Sequence, residues 1–222
     1  MENAQEKPRL AKLNYNRTFI IGLAFFSIMM MWNVYNTYCP VFLTELLTAR
    51  LNEPAENVQW IVGILMALDN VFAIFMLPIF GYLSDKTKSK YGKRMPYIVI
   101  GTLCAVLVLP CIPIFYAYDS LLGVILMMGL TLIIMNIYRN PAVALMPDIT
   151  PKPLRAKANG IINFVGYLGG IVSGVIAMFI SYKKYSSENK FMLIIPFIIA
   201  SVFMILSVIL LFFRIKDTGS LS

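Results

Sequence analysis

Residues 81–97 read GYLSDKTKSKYGKRMPY, a short basic connection between two long apolar runs. Five cations, Lys86, Lys88, Lys90, Lys93 and Arg94, stand there against a single carboxylate, Asp85. Cations in short loops beside membrane-spanning segments are retained on the cytoplasmic side, so the loop is expected there, with the flanking runs crossing the bilayer. Gly81 is expected to permit close backbone approach at the end of the second helix. Asp85 can cap a helix or pair with a neighbouring cation, and Pro96 suits the first turn of the third helix.

Working outward, apolar runs fall at about 18–44, 58–82, 96–118, 120–146, 157–181 and 191–213, each near the ~20 residues a helix needs to span a bilayer. The chain therefore divides into an arm (1–17), an all-α bundle of six transmembrane helices (18–213) and a tail (214–222). The arm, the 83–95 loop, the 147–157 loop and the tail hold fourteen Lys or Arg, whereas the opposite side holds four, Arg50, Lys183, Lys184 and Lys190. Both termini are expected to be cytoplasmic. Tyr118, Asp119 and Ser120 form a tight external turn, and the 45–57 loop, with Glu45, Glu53 and Glu56, is external and mildly acidic.

Composition supports this assignment. With 59% apolar and 14% charged residues and a mean hydropathy of +0.76, the chain has more apolar surface than a soluble core of its length can bury. The net charge of +8 sits in clusters beside apolar runs rather than along an aromatic-interleaved face, which favours topology over nucleic acid. The absence of histidine excludes imidazole acid–base chemistry and imidazole metal ligation. Cys39, Cys104 and Cys111 lack C-x-x-C spacing and read as small buried hydrophobes. The arm carries Lys7, Arg9, Lys12 and Arg17, but the following run is longer than a signal peptide's apolar core and is expected to stay as a helix. No metal, cofactor or enzymatic constellation is visible.

The Gly81-x-Leu83-x-Asp85 opening, followed by Gly92, Lys93, Arg94 and Pro96, resembles the loop between the second and third helices of the major facilitator superfamily. The seven-residue step from Asp85 to Gly92 is similar to the form found in glycoside-pentoside-hexuronide cation symporters and sucrose-transporter-like proteins. A second stretch, Asn136 to Gly170, resembles the junction of the fourth and fifth helices in that branch at Arg139, Pro141, Ala144, Leu145, Asp148, Ala158 and Asn159. The resemblance covers the chain as the N-terminal six-helix half of such a transporter. It implies a secondary active sugar or glycoside symporter working by alternating access, multi-pass in the cytoplasmic membrane of a bacterium. It also implies a cytoplasmic gate or motif comprising Gly81, Asp85, Gly92, Lys93, Arg94, Asp148 and Arg155.

A charge at the bilayer centre costs roughly 2.5–3.5 kcal/mol even on permissive scales, so intramembrane charges call for a role. Asp69, followed by Asn70 midway along the second run, is either a proton or cation site, one member of a structural ion pair, or a side chain wetted by the cavity. Arg139 lies in the fourth run with Asn136 and Asn140, which together suggest a polar stripe along the pathway and leave pairing with Asp69 open. On the first run, Trp32, Asn33, Tyr35, Asn36 and Tyr38 place aromatic faces beside amides. This combination suits a sugar, and interhelical hydrogen bonding is the alternative. The fifth run offers Asn159 and Asn163, then Gly166, Gly170 and Gly174 with Gly169 and Ser173 beside them, a stripe expected to admit a neighbouring helix closely.

Melibiose-type members of the resembled family carry two second-helix carboxylates that contribute to a sodium site. The matching positions here are Leu77 and Ala73, and the fourth-helix carboxylate position falls at Arg139. Sodium coupling is thereby disfavoured, and protons are the expected coupling ion, with Asp69 as the carrier. Because the sequence stops at Ser222, the expected partners are the lipid bilayer, a small-molecule sugar or glycoside, and a missing C-terminal six-helix half or a second copy, with no nucleic acid. The alternative is a non-transporting six-helix membrane protein, an assembly partner or truncated relic.

Overall fold

A computed structural model describes residues 13–215, apart from the side chains of Asp69 and Leu77. The helices are α1 (Tyr15–Leu51), α2 (Ala55–Lys86), α3 (Met95–Val108), α4 (Cys111–Ala117), α5 (Leu121–Ile149), α6 (Arg155–Phe179), α7 (Tyr182–Glu188) and α8 (Ile195–Arg214). Six spans, Tyr15–Leu51, Ala55–Lys86, Met95–Ala117, Leu121–Ile149, Lys152–Phe179 and Lys190–Arg214, are long and apolar enough to cross a membrane. The fold is all-helical among the described residues.

The first span is the central one. Its buried residues run from Thr18 to Leu47 on successive turns, and it packs chiefly on α6 and α8. Small residues allow the α1–α6 approach, because van der Waals packing between lipid-embedded helices improves as backbones come closer. A Cβ added at Gly169 would stand 2.1 Å from the Phe26 carbonyl oxygen, and one at Gly22 would stand 3.0 Å from the Val165 side chain. The stripe expected at Gly166, Gly170 and Gly174 is shifted round the helix: Gly166, Gly169 and Gly170 face α1, while Gly174 has nothing within 4 Å. A four-residue step advances 400° around a helix, so the third member drifts off the contact face.

Proline and capping chemistry explain the ends and breaks. Asn14 accepts from the Arg17 amide at the start of α1, and Ser120 accepts from the Gly123 amide at the start of α5. The third run, read as one span over 96–118, is broken at Pro110, which has no amide hydrogen to continue the ladder, so α3 and α4 are separate helices. Pro96 does occupy the first turn of α3. Asp119 turns the chain with φ 54° between α4 and α5. The connection after the fifth span contains α7, a helix the sequence pattern did not signal. It forms because Tyr182 and Tyr185 pack against the core and reward ordering of the segment.

Alternating spans gather two sets of residues at opposite ends. At one end, a cleft joins Asn14 to Thr150 and Pro151, and the Tyr91 ring lies 5.1 Å from that of Phe212. At the other end meet Glu45, Tyr116, Asp119, Tyr182 and Lys190.

Candidate functional site

Around the basic loop, α2 runs on to Lys86 and so carries Asp85 on its final turn. The chain reverses through Gly92, whose φ of 94° favours glycine and whose amide donates to the Ser89 carbonyl at 3.1 Å. Arg94 then points inward, only 6% exposed. Its guanidinium contacts Asp85 Oδ1 at 2.5 Å and Asp148 Oδ2 at 3.0 Å, and it also donates to the Ser84 hydroxyl. Lys93 Nζ stands 4.0 Å from each carboxylate. A planar fork holding two carboxylates and a hydroxyl satisfies most of its donors in one geometry, which an ammonium cannot reproduce.

The structure thus brings together Asp85, Lys93, Arg94 and Asp148 and adds Ser84. Neither Ser84 nor the Arg94–Asp148 pairing was legible from spacing. Arg155 lies on the same end but outside this cluster. Its guanidinium donates to the carbonyls of Pro147 and Thr150 at 2.7 and 3.2 Å, closing the exposed end of α5. Gly81 makes no close approach, since nothing lies within 4 Å of its added Cβ, and the helix continues through it.

Further along the bundle, Trp32 and Tyr35 meet edge to face with ring centroids 5.7 Å apart. Asn33 lies over Gly170, its Nδ2 2.6 Å from where a Cβ would stand. Asn33 and Asn36 are exposed, Tyr35 is buried, and Asn163 is half-buried. On α5 the expected polar stripe divides. Asn136 and Asn140 are buried, whereas Arg139 is exposed. Arg139 lies about 100° round the helix from Asn140 and about 60° from Asn136, on the opposite side of Asn136 from Asn140, so the buried face takes the two amides and leaves the guanidinium outside. Asn136 donates to the Leu132 carbonyl at 2.8 Å. Among the described residues, Asn140 Nδ2 and Trp32 Nε1 are buried without a hydrogen-bond partner, donors that a polar ligand could engage. The side chain of Asp69, and with it any pairing to Arg139, lies outside the described residues.

The α5 backbone is fixed by Tyr138, which is fully buried. An added Cβ at Gly101 would stand 2.9 Å from Tyr138 Cβ, and the Tyr138 hydroxyl is 3.3 Å from Ser27 Oγ. Tyr138 therefore anchors the helix that carries Asn136, Arg139 and Asn140 to α3 and α1.

Residues 20–221 match the model of a family described as MFS/sugar transport protein. The chain belongs to that family. The membership agrees with the resemblance carried by Gly81–Tyr97 and Asn136–Gly170. Among curated proteins, the chain is similar to a lactose permease of Lactobacillus helveticus, 33% identical over 73 residues, which is 32% of this chain and 11% of the permease. The aligned stretch thus spans about a tenth of that relative's length. Membership of the MFS/sugar transport protein family gives the six apolar spans a common purpose as a multi-pass membrane bundle.

One polar cluster escaped the sequence pattern. Glu45 Oε2 accepts from the hydroxyls of Tyr116, at 2.8 Å, and Tyr182. Its Oε1 lies 3.1 Å from Lys190 Nζ, which also reaches Asp119 at 2.6 Å. Tyr116 stacks on Phe42 at 4.1 Å and offers its face to Lys190 at 4.9 Å. Burial, reinforced by the bond to Glu45, pushes the Tyr182 hydroxyl up to about 12, so it remains a donor at neutral pH. The participants come from four separate segments, and no local spacing could have announced them.

Proposed function

We propose that the chain forms the N-terminal six-helix half of a proton-coupled sugar or glycoside symporter. The family match over residues 20–221 carries this proposal, and the similarity to a lactose permease supports a glycoside as cargo. The bundle sits in the cytoplasmic membrane with both termini inside, as the distribution of cations favours. A second six-helix half or a second copy completes the pathway, and one half rocks against the other.

In this mechanism Asp69 loads and releases the proton. Trp32 and Tyr35 supply aromatic faces to the sugar, and Asn33, Asn36, Asn136, Asn140 and Asn163 supply amides. The exposed Arg139 contacts substrate or tunes the acid. Asp85, Lys93, Arg94 and Asp148 shape the cytoplasmic gate, with Arg155 bracing the end of α5. The observations in support are the unpartnered buried donors of Trp32 and Asn140 and the placement of the Arg94 cluster at one end.

The test is uptake of radiolabelled glycosides into vesicles containing the chain together with a second six-helix half, driven by an imposed pH gradient. Asp69→Asn is expected to abolish accumulation. Undiminished proton-driven uptake in that variant removes Asp69 from the mechanism, and uptake that follows a sodium gradient alone replaces the coupling ion.

A further inference from the structure

At the end of the bundle that carries the basic loop, a cleft opens between the start of α1 and the connection that follows α5. Leu13, Arg17 and Ile21 line one side, and Ile149, Thr150 and Pro151 the other. Arg17 is the one charged residue among the described lining residues, and it is exposed. Its neighbours in the cleft have local partners: Asn14 Oδ1 takes the Arg17 amide at 3.1 Å, and the Thr18 hydroxyl donates to the Asn14 carbonyl at 3.0 Å. The Pro147 and Thr150 carbonyls are taken by Arg155. Nearby Asp148 is turned to Arg94 and Lys93.

Two further cations stand on the segments adjoining the cleft. Lys152 follows Pro151 and is exposed, and Lys157 is exposed with its ammonium 5.3 Å from the Tyr15 ring. Tyr15 is 58% exposed at the first turn of an apolar span, the level at which amphipathic rings settle among headgroups. A site for a free anion in water needs no apolar wall. Here cations stand at the rim and the half-buried Leu13 and Ile149 supply apolar surface, a division that matches a headgroup joined to an acyl chain.

We propose that this cleft binds an anionic phospholipid, its phosphate held by Arg17 with Lys152 and Lys157 nearby and its chain lying against the apolar wall. Basic pockets between transmembrane helices recognise anionic headgroups through this combination of charge and depth. The cleft borders the Arg94 cluster through Ile149, which follows Asp148, but neither Asp85, Lys93, Arg94 nor Asp148 lines it.

The full chain, purified in neutral detergent, is titrated with phosphatidylglycerol or phosphatidylcholine, and bound lipid is counted by native mass spectrometry. Phosphatidylglycerol is expected to bind preferentially, and Arg17→Gln to weaken it about fivefold. Lys152→Gln, at an exposed position, is expected to weaken it in the same direction and serves if Arg17→Gln fails to fold. The double variant Lys183→Gln/Lys184→Gln, at the opposite end, should bind as the parent does. Equal binding of the two lipids, an equal loss in the Lys183/Lys184 variant, or displacement of the lipid by inorganic phosphate overturns the proposal.

Discussion

Arg94 and Asp148, 54 residues apart in sequence, are joined by a 3.0 Å hydrogen bond at one end of the bundle. The same guanidinium holds Asp85 at 2.5 Å, so the end of the second span, the start of the third and the end of the fourth are pinned through one side chain.

Replacing Arg94 removes charge-assisted hydrogen bonds from a site where its side chain is 7% exposed. Arg94→Gln is expected to destabilise the bundle by about 2 kcal/mol, read as a lowered unfolding temperature in detergent. Arg94→Lys should recover less than half of that loss, because an ammonium cannot fork between two carboxylates. Full recovery by lysine would show that charge alone matters.

Gly169 packs beneath the Phe26 carbonyl with no room for a Cβ. Gly169→Ala is expected to cost about 1–3 kcal/mol through overpacking, whereas Gly174→Ala, with open space around it, should be neutral. The yield of monodisperse protein on size exclusion and its thermal midpoint separate the two. Equal tolerance at both positions would mean that α1 and α6 pack differently.

The Glu45–Lys190 contact is partly buried, at 34% and 24% side-chain exposure. A double-mutant cycle with Glu45→Gln and Lys190→Met is expected to give a coupling of about 1 kcal/mol. Tyr182→Phe should destabilise as well, since Glu45 then loses a donor. Additive single mutants would show the cluster to be a set of independent contacts.

Tyr138→Phe retains the packing against Gly101 and removes the hydroxyl beside Ser27. The expected loss is about 1 kcal/mol, while Gly101→Val, which drives a branched side chain into Tyr138, should abolish folding. A stable, monodisperse Gly101→Val protein would show that α3 and α5 can separate at this point.

The apolar runs were enough to define six helical spans, because a bilayer imposes length and hydropathy on each segment locally. Gly92 was legible as a motif position, and the structure gives the reason: its turn has a φ of 94°, which glycine adopts freely. Other features were set by partners distant in the chain. Whether Asn140 faces inward and Arg139 outward depends on where α1 and α3 press against α5, and the glycines that matter on α6 are those that meet the Phe25–Met29 turn. The helix at Tyr182–Glu188 likewise follows from packing, whereas the break at Pro110 is local, the loss of one amide donor. Sequence alone determined the membrane bundle, its family and its basic loop. Tertiary structure decided which charges meet, because Arg94 with Asp148 and Lys190 with Glu45 are brought together only when antiparallel spans align their ends.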